Sequence, residues 1–194
     1  MAKVTFPVPM SNTLGDFSVY KQRVLDKIIA QAKGGPSNEQ IKTAPEFEIL
    51  RRHQSEFSGI GKLSSLIMKT CNGVKHLADY NFSSEFTIIG KFIAEMDKVS
   101  TIGKRSKIVS NAKSFFAGFS MNRNNPFDTV MPQSPEVLLS RNHLRADLHF
   151  PTVIPRINFK NPWPYPLFRF AFSLGIVPDM IYTDGKYGPA NPAM

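Results

Sequence analysis

Histidine and cysteine are the residues most readily used for catalysis or metal binding, and this chain has five of them. The histidines, His53, His76, His143 and His149, match no HExxH or other metal-binding spacing. His143 and His149 would lie about 20 Å apart in a regular strand, too far to bind one ion. Cys71 is the single cysteine, which excludes an intrachain disulfide and a cysteine-based metal cluster. We expect surface or structural roles for all five side chains.

Motifs for covalent or phosphate chemistry are absent from the sequence. No GxSxG, GxxxxGK[ST] or GxGxxG pattern occurs. Nothing around Cys71 predicts the electropositive site and orienting base that a catalytic thiol needs. We therefore predict no enzymatic activity, cofactor, metal or small-molecule substrate. A hydrolase with an unfamiliar site around His143 and Asp147 is the least favoured alternative.

The stretch Asn-Pro-Trp-Pro-Tyr-Pro at residues 161–166 is the best candidate for binding. Prolines that alternate with Trp163 and Tyr165 favour a stiff loop with exposed aromatic faces, which loses little entropy on binding. The alternative is that both rings fill the end of a sheet. Interleaved basic residues would also let the loop stack bases and neutralise phosphates of single-stranded nucleic acid. The predicted interaction loop comprises Arg156, Lys160, Trp163, Tyr165 and Arg169.

A formal net charge of +9, from 24 basic and 15 acidic residues, favours anionic partners in general. The basic residues are spread along the chain, and their densest cluster lies in residues 98–107. We predict a basic patch formed by Lys98, Lys104, Arg105 and Lys107. Nucleic acid is therefore an alternative partner.

Residues 1–35 predict a ribbon of two or three strands, with β-prone runs at residues 4–8 and 17–20. A helical turn over residues 23–29 is the alternative. Gly34 and Gly35 then end a strand and lead into two capped helix starts. Their signatures are the S-x-x-Q box of Ser37 and Gln40 and the T-x-x-E box of Thr43 and Glu46.

The middle of the chain predicts two main helices and a short one, at residues 46–69, 84–99 and 106–116. In the first, an apolar stripe is formed by Phe47, Leu50, Phe57, Ile60, Leu63 and Ile67. Glu56 falls off that stripe. Gly59 and Gly61 indicate either a break or a closely packed neighbour, because each interior glycine costs about 1 kcal/mol relative to alanine. In the second, Ser83 or Ser84 is the expected cap, and the apolar face is formed by Phe86, Ile89, Phe92, Ile93 and Met96.

Beyond residue 126 recurrent prolines separate short β-prone runs, which predict antiparallel strands at residues 137–141, 144–150 and 167–177. The last twelve residues, TDGKYGPANPAM, predict no regular element. The predicted class is α+β, with a ribbon and helical region in residues 1–125 and a β region in residues 126–194, as two domains or one continuous domain. No signal pattern or long apolar run is present, so we expect a cytoplasmic protein with no membrane segment.

Several stretches together resemble a family of uncharacterised bacterial proteins. They are LGDFSVYK, KGGPSNEQIKTAPEF, ADYN, GKRS, GFSMNRNNPFD and LGIVPD, in this order. The resemblance implies an α+β protein, and it assigns no catalytic residue, cofactor or substrate. Family members extend beyond the last residue of this chain, which implies that the C-terminal sheet is incomplete here.

The function that these patterns favour is a non-enzymatic structural or protein-interaction subunit. Unfinished strand edges in the Pro-rich region favour self-association or pairing with a protein partner. The alternative is a basic nucleic-acid-binding module, whose binding would weaken steeply with salt.

Overall fold

The computed structural model describes residues 12–14, 17–22, 27–32, 34–140, 142–143, 145–163 and 165–190. The chain divides into two compact units, residues 1–50 and residues 51–194. Helices and short antiparallel sheets occur together, which confirms the predicted α+β class. The strand predicted at residues 4–8 lies outside the described residues, and the boundary predicted after residue 125 stays a prediction. Within the described ranges, no helix has the length and apolar character that crossing a membrane requires.

Helices and strands have the following bounds. The helices are α1 (Asn38–Thr43), α2 (Glu48–Thr70), α3 (Ser83–Met96) and α4 (Phe127–Val130). The strands are β1 (Asn12–Leu14), β2 (Phe17–Gln22), β3 (Lys27–Ala32), β4 (Glu136–Ser140), β5 (Arg145–His149), β6 (Met180–Thr183) and β7 (Lys186–Pro189). Within the described residues these strands form three antiparallel sheets, with strand orders β1-β2-β3, β4-β5 and β6-β7.

The first unit contains the predicted ribbon as a three-stranded sheet, in which β2 and β3 pair over their full lengths. After β3 the chain turns at Gly35, whose φ of +97° is a conformation that glycine adopts without strain. The first capping box is confirmed, because Gln40 N–H donates to the Ser37 hydroxyl and Ser37 N–H donates to the Gln40 side chain. The second is wrong. Thr43 ends α1, and its hydroxyl donates to the carbonyl of Glu39 instead.

Helix α2 continues without a break through both of its predicted weak points, Gly59 and Gly61. A Cβ atom at Gly59 would lie 2.8 Å from the Tyr187 ring and 2.9 Å from Lys107 Nζ, whereas one at Gly61 would meet nothing within 4 Å. Close packing against a neighbour is therefore the correct alternative at Gly59.

The buried face of α2 matches the predicted stripe only in part. Ile60, Leu63 and Ile67 are buried as predicted, but Leu50 and Phe57 are 40% and 65% exposed and Glu56 is buried. Glu56 precedes Ile60 by one helical turn and shares its face, while Phe57 lies about 100° further round the helix. The buried stripe therefore contains a carboxylate that the sequence pattern placed in solvent.

Helix α3 covers most of its predicted range and buries Phe86 and Ile93, while Phe92 and Met96 stay about half exposed. The predicted serine cap is wrong, because Phe82 occupies the cap position and no side chain caps the helix. Ser83 donates instead to the side chain of Asn81.

Two 3-10 turns, Val109–Asn111 and Lys113–Phe116, replace the short helix predicted at residues 106–116. Lys107 N–H donates to the Met180 carbonyl at 2.7 Å, and Met180 N–H donates back at 3.0 Å. This isolated bridge holds the start of the segment extended, so a helix cannot begin there.

The C-terminal region confirms two of the three predicted strands, as β4 and β5. Residues 167–177 contain no strand. The tail prediction is also wrong, because β6 and β7 form a hairpin around Asp184 and Gly185, both at positive φ. Asp-Gly is a typical sequence for such a two-residue turn. The incomplete C-terminal sheet that the family resemblance implies stays a prediction.

The β6–β7 hairpin is part of the main core of the second unit. Met180 and Tyr187 are 2% and 4% exposed. Residues before and after position 125 contribute to this core, which comprises Leu63, Ile67, Phe82, Phe86, Ile93, Ala112, Met180 and Tyr187.

Candidate interaction surfaces

Four of the five residues of the predicted interaction loop surround one concave site of about 770 Å³. They are Arg156, Lys160, Trp163 and Tyr165, and we call this site the cleft. Phe159, Phe168, Asn161 and three prolines complete its lining. Arg169 follows Phe168 and is exposed, but it does not line the cleft.

Asparagine side chains hold the backbone of the cleft in place. Asn161 accepts a hydrogen bond from Trp163 N–H at 3.1 Å and donates to the Tyr165 carbonyl at 2.7 Å. On the other side, Asn158 accepts from Ile154 N–H at 2.6 Å and donates to the Thr152 carbonyl at 2.7 Å. Because these bonds fix the backbone on both sides, the cleft is organised before any ligand binds.

The two aromatic rings at the rim are exposed and do not fill the end of a sheet. Trp163 is 61% exposed and Tyr165 is 67% exposed. Phe159, which lines the same cleft, is buried and packs on Phe168 and Phe170, with ring centroids 4.3 and 5.9 Å away. A cluster of phenylalanine rings therefore forms part of the cleft, and Trp163 and Tyr165 keep exposed surface for contact with a ligand.

The cleft lies in a basic part of the chain. Residues 150–178 contain three basic residues, Arg156, Lys160 and Arg169, and no acidic one. Among the described residues neither Arg156 nor Lys160 forms an ion pair. Arg156 also adopts φ +68°, a left-handed conformation that is uncommon for a residue other than glycine, asparagine or aspartate.

The β4–β5 hairpin is a second candidate surface, since apolar side chains are exposed on both of its faces. Val137 and Leu139 lie on one face and are 53% and 66% exposed. Leu138 lies on the other face and is 48% exposed. Within the described ranges no third strand joins either edge. A two-stranded sheet of this kind is marginally stable alone in water.

The predicted basic patch does not form as a single surface. Lys98 and Lys104 are exposed, but Arg105 is half-buried and Lys107 has no exposed surface. Lys107 therefore cannot contact a partner. The residues next to Lys107 in the sequence gave no sign of its burial, because lysine is rarely buried without a partner and the partner is remote in the chain.

That partner is Glu56, and together with Tyr187 the two form a buried polar cluster that the sequence pattern missed. One Glu56 oxygen accepts from Gly103 N–H at 2.6 Å and from the Tyr187 hydroxyl at 3.3 Å. The other lies 3.8 Å from Lys107 Nζ. Lys107 Nζ also sits 3.6 Å from the centre of the Tyr187 ring. Gly59 was the one available signal, since its position in a helix indicated a close neighbour.

Burial has the largest effect on the pKa values of Lys107 and Tyr187 in this cluster. It lowers the pKa of Lys107 to about 8, against the opposing attraction of Glu56. It raises the pKa of Tyr187, and the nearby Glu56 carboxylate adds to the increase. A lysine with a lowered pKa can act as a base, but this ammonium is enclosed and donates to the Arg105 carbonyl at 2.8 Å. The arrangement fits a structural role.

The remaining chemically capable residues do not converge. Within the described parts of the chain, no three histidine, cysteine or acidic residues are placed to hold a metal ion. All four histidines are exposed, and Cys71 is half-buried at the end of α2.

No protein-family model, curated protein or solved structure matches this chain. The resemblance to a bacterial family therefore stays a prediction.

Proposed function

We propose that this protein is a non-enzymatic structural subunit that self-associates through the free edge of β4. The observation that supports the proposal is the exposure of Val137, Leu138 and Leu139 on both faces of a two-stranded sheet. A sheet that leaves such residues in water gains stability when another strand and its side chains cover them.

The residue order of β4 favours pairing with itself. In an antiparallel pair centred on Leu138, each Val137 lies opposite Leu139 of the second copy, and Glu136 lies opposite Ser140. Every central pair is then apolar, and no like charges meet. The free edge of β5 is less suitable. An equivalent pair centred on Asp147 would place two carboxylates opposite each other, which destabilises pairing.

Burial of the apolar side chains at this edge supplies part of the free energy that dimer formation requires. Full burial of a leucine side chain contributes about 1.5–3 kcal/mol. Leu139 is 66% exposed, so covering it would contribute about 1–2 kcal/mol in each copy. A symmetric dimer contains this contact twice, and Leu139 alone therefore supplies about 2–4 kcal/mol.

The test is light scattering coupled to size-exclusion chromatography, at low and at high salt, on the wild type and on Leu139→Glu. We expect an oligomer at both salts for the wild type, because apolar contacts are insensitive to screening, and a monomer for the variant. Leu174→Glu is the matched control. It places the same charge at a leucine that is 71% exposed outside the hairpin, and it should leave the oligomer intact.

A wild-type monomer at every concentration tested would refute self-association. Equal dissociation by both glutamate variants would show that net charge, rather than the β4 edge, controls the assembly. Retention of the oligomer in Leu139→Glu would place the contact elsewhere and would equally contradict the proposal.

A further inference from the structure

We propose that the cleft around Arg156, Lys160, Trp163 and Tyr165 binds single-stranded nucleic acid, by stacking bases on the two rings and neutralising phosphates with the two cations. This site is separate in residue content from the β4 edge. The cleft would therefore bind a ligand in addition to the self-association through β4, and self-association would not require that ligand.

The aromatic rings meet the requirement for base stacking. A stacking ring must present an exposed face to the base, and a backbone that is already fixed reduces the entropy lost on binding. Trp163 and Tyr165 are both more than half exposed, and Asn161 hydrogen-bonds to the backbone of both residues. Two flat rings two residues apart in a proline-rich loop offer positions for two bases.

The cations meet the requirement for phosphate binding. Arg156 and Lys160 line the same cleft as the rings, and its lining contains no acidic residue. Arg156 adopts its left-handed backbone conformation although glycine would do so without strain. Strain of this kind is found where the side chain is needed in place, so it favours a binding role for the guanidinium.

The shape of the cleft favours single strands over other anionic ligands. A volume of about 770 Å³ falls within the range of pockets that enclose small organic ligands, so it is sufficient for nucleotide-sized groups. Bases in a duplex are already stacked and cannot cover the two rings. An acidic peptide would satisfy the cations and leave the exposed rings without a matching flat surface.

The experiment uses the intrinsic fluorescence of Trp163, which is the single tryptophan of the chain. The full-length protein is titrated with oligo-dT and oligo-U of about 12 nucleotides, a length within the usual site size of such proteins. Duplex DNA and polyglutamate serve as comparison ligands. We expect saturable quenching with the single strands and not with the duplex or the polyanion.

Anisotropy of a labelled oligonucleotide then measures the affinity of variants, including those that lack the tryptophan. Trp163→Ala should weaken binding roughly 5- to 150-fold, the usual effect of removing one stacking ring, and Trp163→Phe should retain most of the affinity. Leu167→Ala is the apolar control, since Leu167 is 87% exposed and does not line the cleft. It should bind like the wild type.

Salt dependence tests the cations separately. Two neutralised phosphates predict a slope of log affinity against log salt of about −1.4 for a single strand, and each lost contact reduces it by about 0.7. Lys160→Gln should therefore reduce the steepness of the slope. Lys104→Gln removes the same charge outside the cleft and, as the charge-matched control, should leave the slope unchanged. Lys104 is exposed and lies outside the cleft.

Several results would overturn the proposal. Absence of binding at about 50 mM salt would do so directly. Equal binding of polyglutamate, or equal weakening by Lys160→Gln and Lys104→Gln, would indicate general attraction of polyanions to a basic protein. Unchanged affinity in Trp163→Ala would place any nucleic-acid site elsewhere.

Discussion

Replacement of Gly59 with alanine is expected to destabilise the protein, although the same replacement at Gly61 is expected to stabilise it. Both glycines lie inside α2, so their helical backbone environments are matched. They differ in what the new methyl group would contact. At Gly61 it would project into open space, whereas at Gly59 it would lie 2.8 Å from the Tyr187 ring and 2.9 Å from Lys107 Nζ.

The expected magnitudes follow from two opposing effects. Alanine is more favourable than glycine in a helix interior by about 1 kcal/mol, and Gly61→Ala should gain this amount in full. At Gly59 the same gain is offset by overpacking, which costs about 1–3 kcal/mol. The upper part of that range applies, because Tyr187 is 4% exposed and packs edge-on against Tyr182 at 5.0 Å between ring centres. We expect a net loss of about 1–2 kcal/mol for Gly59→Ala.

Equilibrium unfolding in urea measures both variants. The two midpoints should move in opposite directions with unchanged slopes, since neither variant alters the surface exposed on unfolding. In a Tyr187→Leu background the contact with the ring is removed and only that with Lys107 Nζ remains, so Gly59→Ala should destabilise less than in the wild type. Equal stabilisation by Gly59→Ala and Gly61→Ala in the wild-type background would refute the close packing of α2 against β7.

Three further predictions concern pH. Burial lowers the pKa of Lys107 from 10.5, its value in an unfolded chain, to about 8 in the folded protein. Between these two pH values the unfolded chain therefore binds more protons than the folded protein. The free energy of unfolding then rises with pH by up to about 1.4 kcal/mol per pH unit. Lys107→Met should remove this rise in pH-dependent urea unfolding; an identical profile in both proteins would contradict the burial of the ammonium. Above pH 10 the raised pKa of Tyr187 acts in the opposite direction, because the unfolded tyrosine loses its proton first, and Tyr187→Phe should flatten that decline. Asp97 accepts backbone N–H bonds from Ser100, Ser106 and Val99, which lower its pKa from 3.8 to about 2. The ionised Asp97 carboxylate contributes fully to the free energy of unfolding above pH 3.8, and this contribution is lost as the pH falls towards 2. The difference in the free energy of unfolding between the wild type and Asp97→Asn should therefore shrink over that interval. A constant difference would exclude the carboxylate as its source.

Local patterns were sufficient for much of the fold. The Ser37–Gln40 capping box depends on groups three residues apart, and the apolar spacing of α2 and α3 depends on neighbours along one helix. The aromatic cleft was partly predictable for the same reason. Arg156, Lys160, Trp163 and Tyr165 lie within ten residues, and the intervening prolines limit where the chain can go.

The features that failed depend on contacts that are distant in the chain. A strand forms only where a second strand can pair with it through backbone hydrogen bonds. Residues 167–177 have the composition of a strand but pair with no other strand, whereas the tail contributes to the β6–β7 hairpin. In that hairpin the Asp184-Gly185 turn was a local signal, yet its importance comes from Tyr187 entering the core beside α2.

By itself, the sequence determined the α+β class, the two main helices α2 and α3 and the composition of the cleft, because these depend on periodicity and on residues close in the chain. Tertiary structure decided which charges leave solvent. Glu56 and Lys107 are 51 positions apart and pair beneath the Tyr187 ring, so a predicted surface lysine became a buried one. No periodicity encodes such a pair, since its stability arises only when three remote segments meet and exclude water.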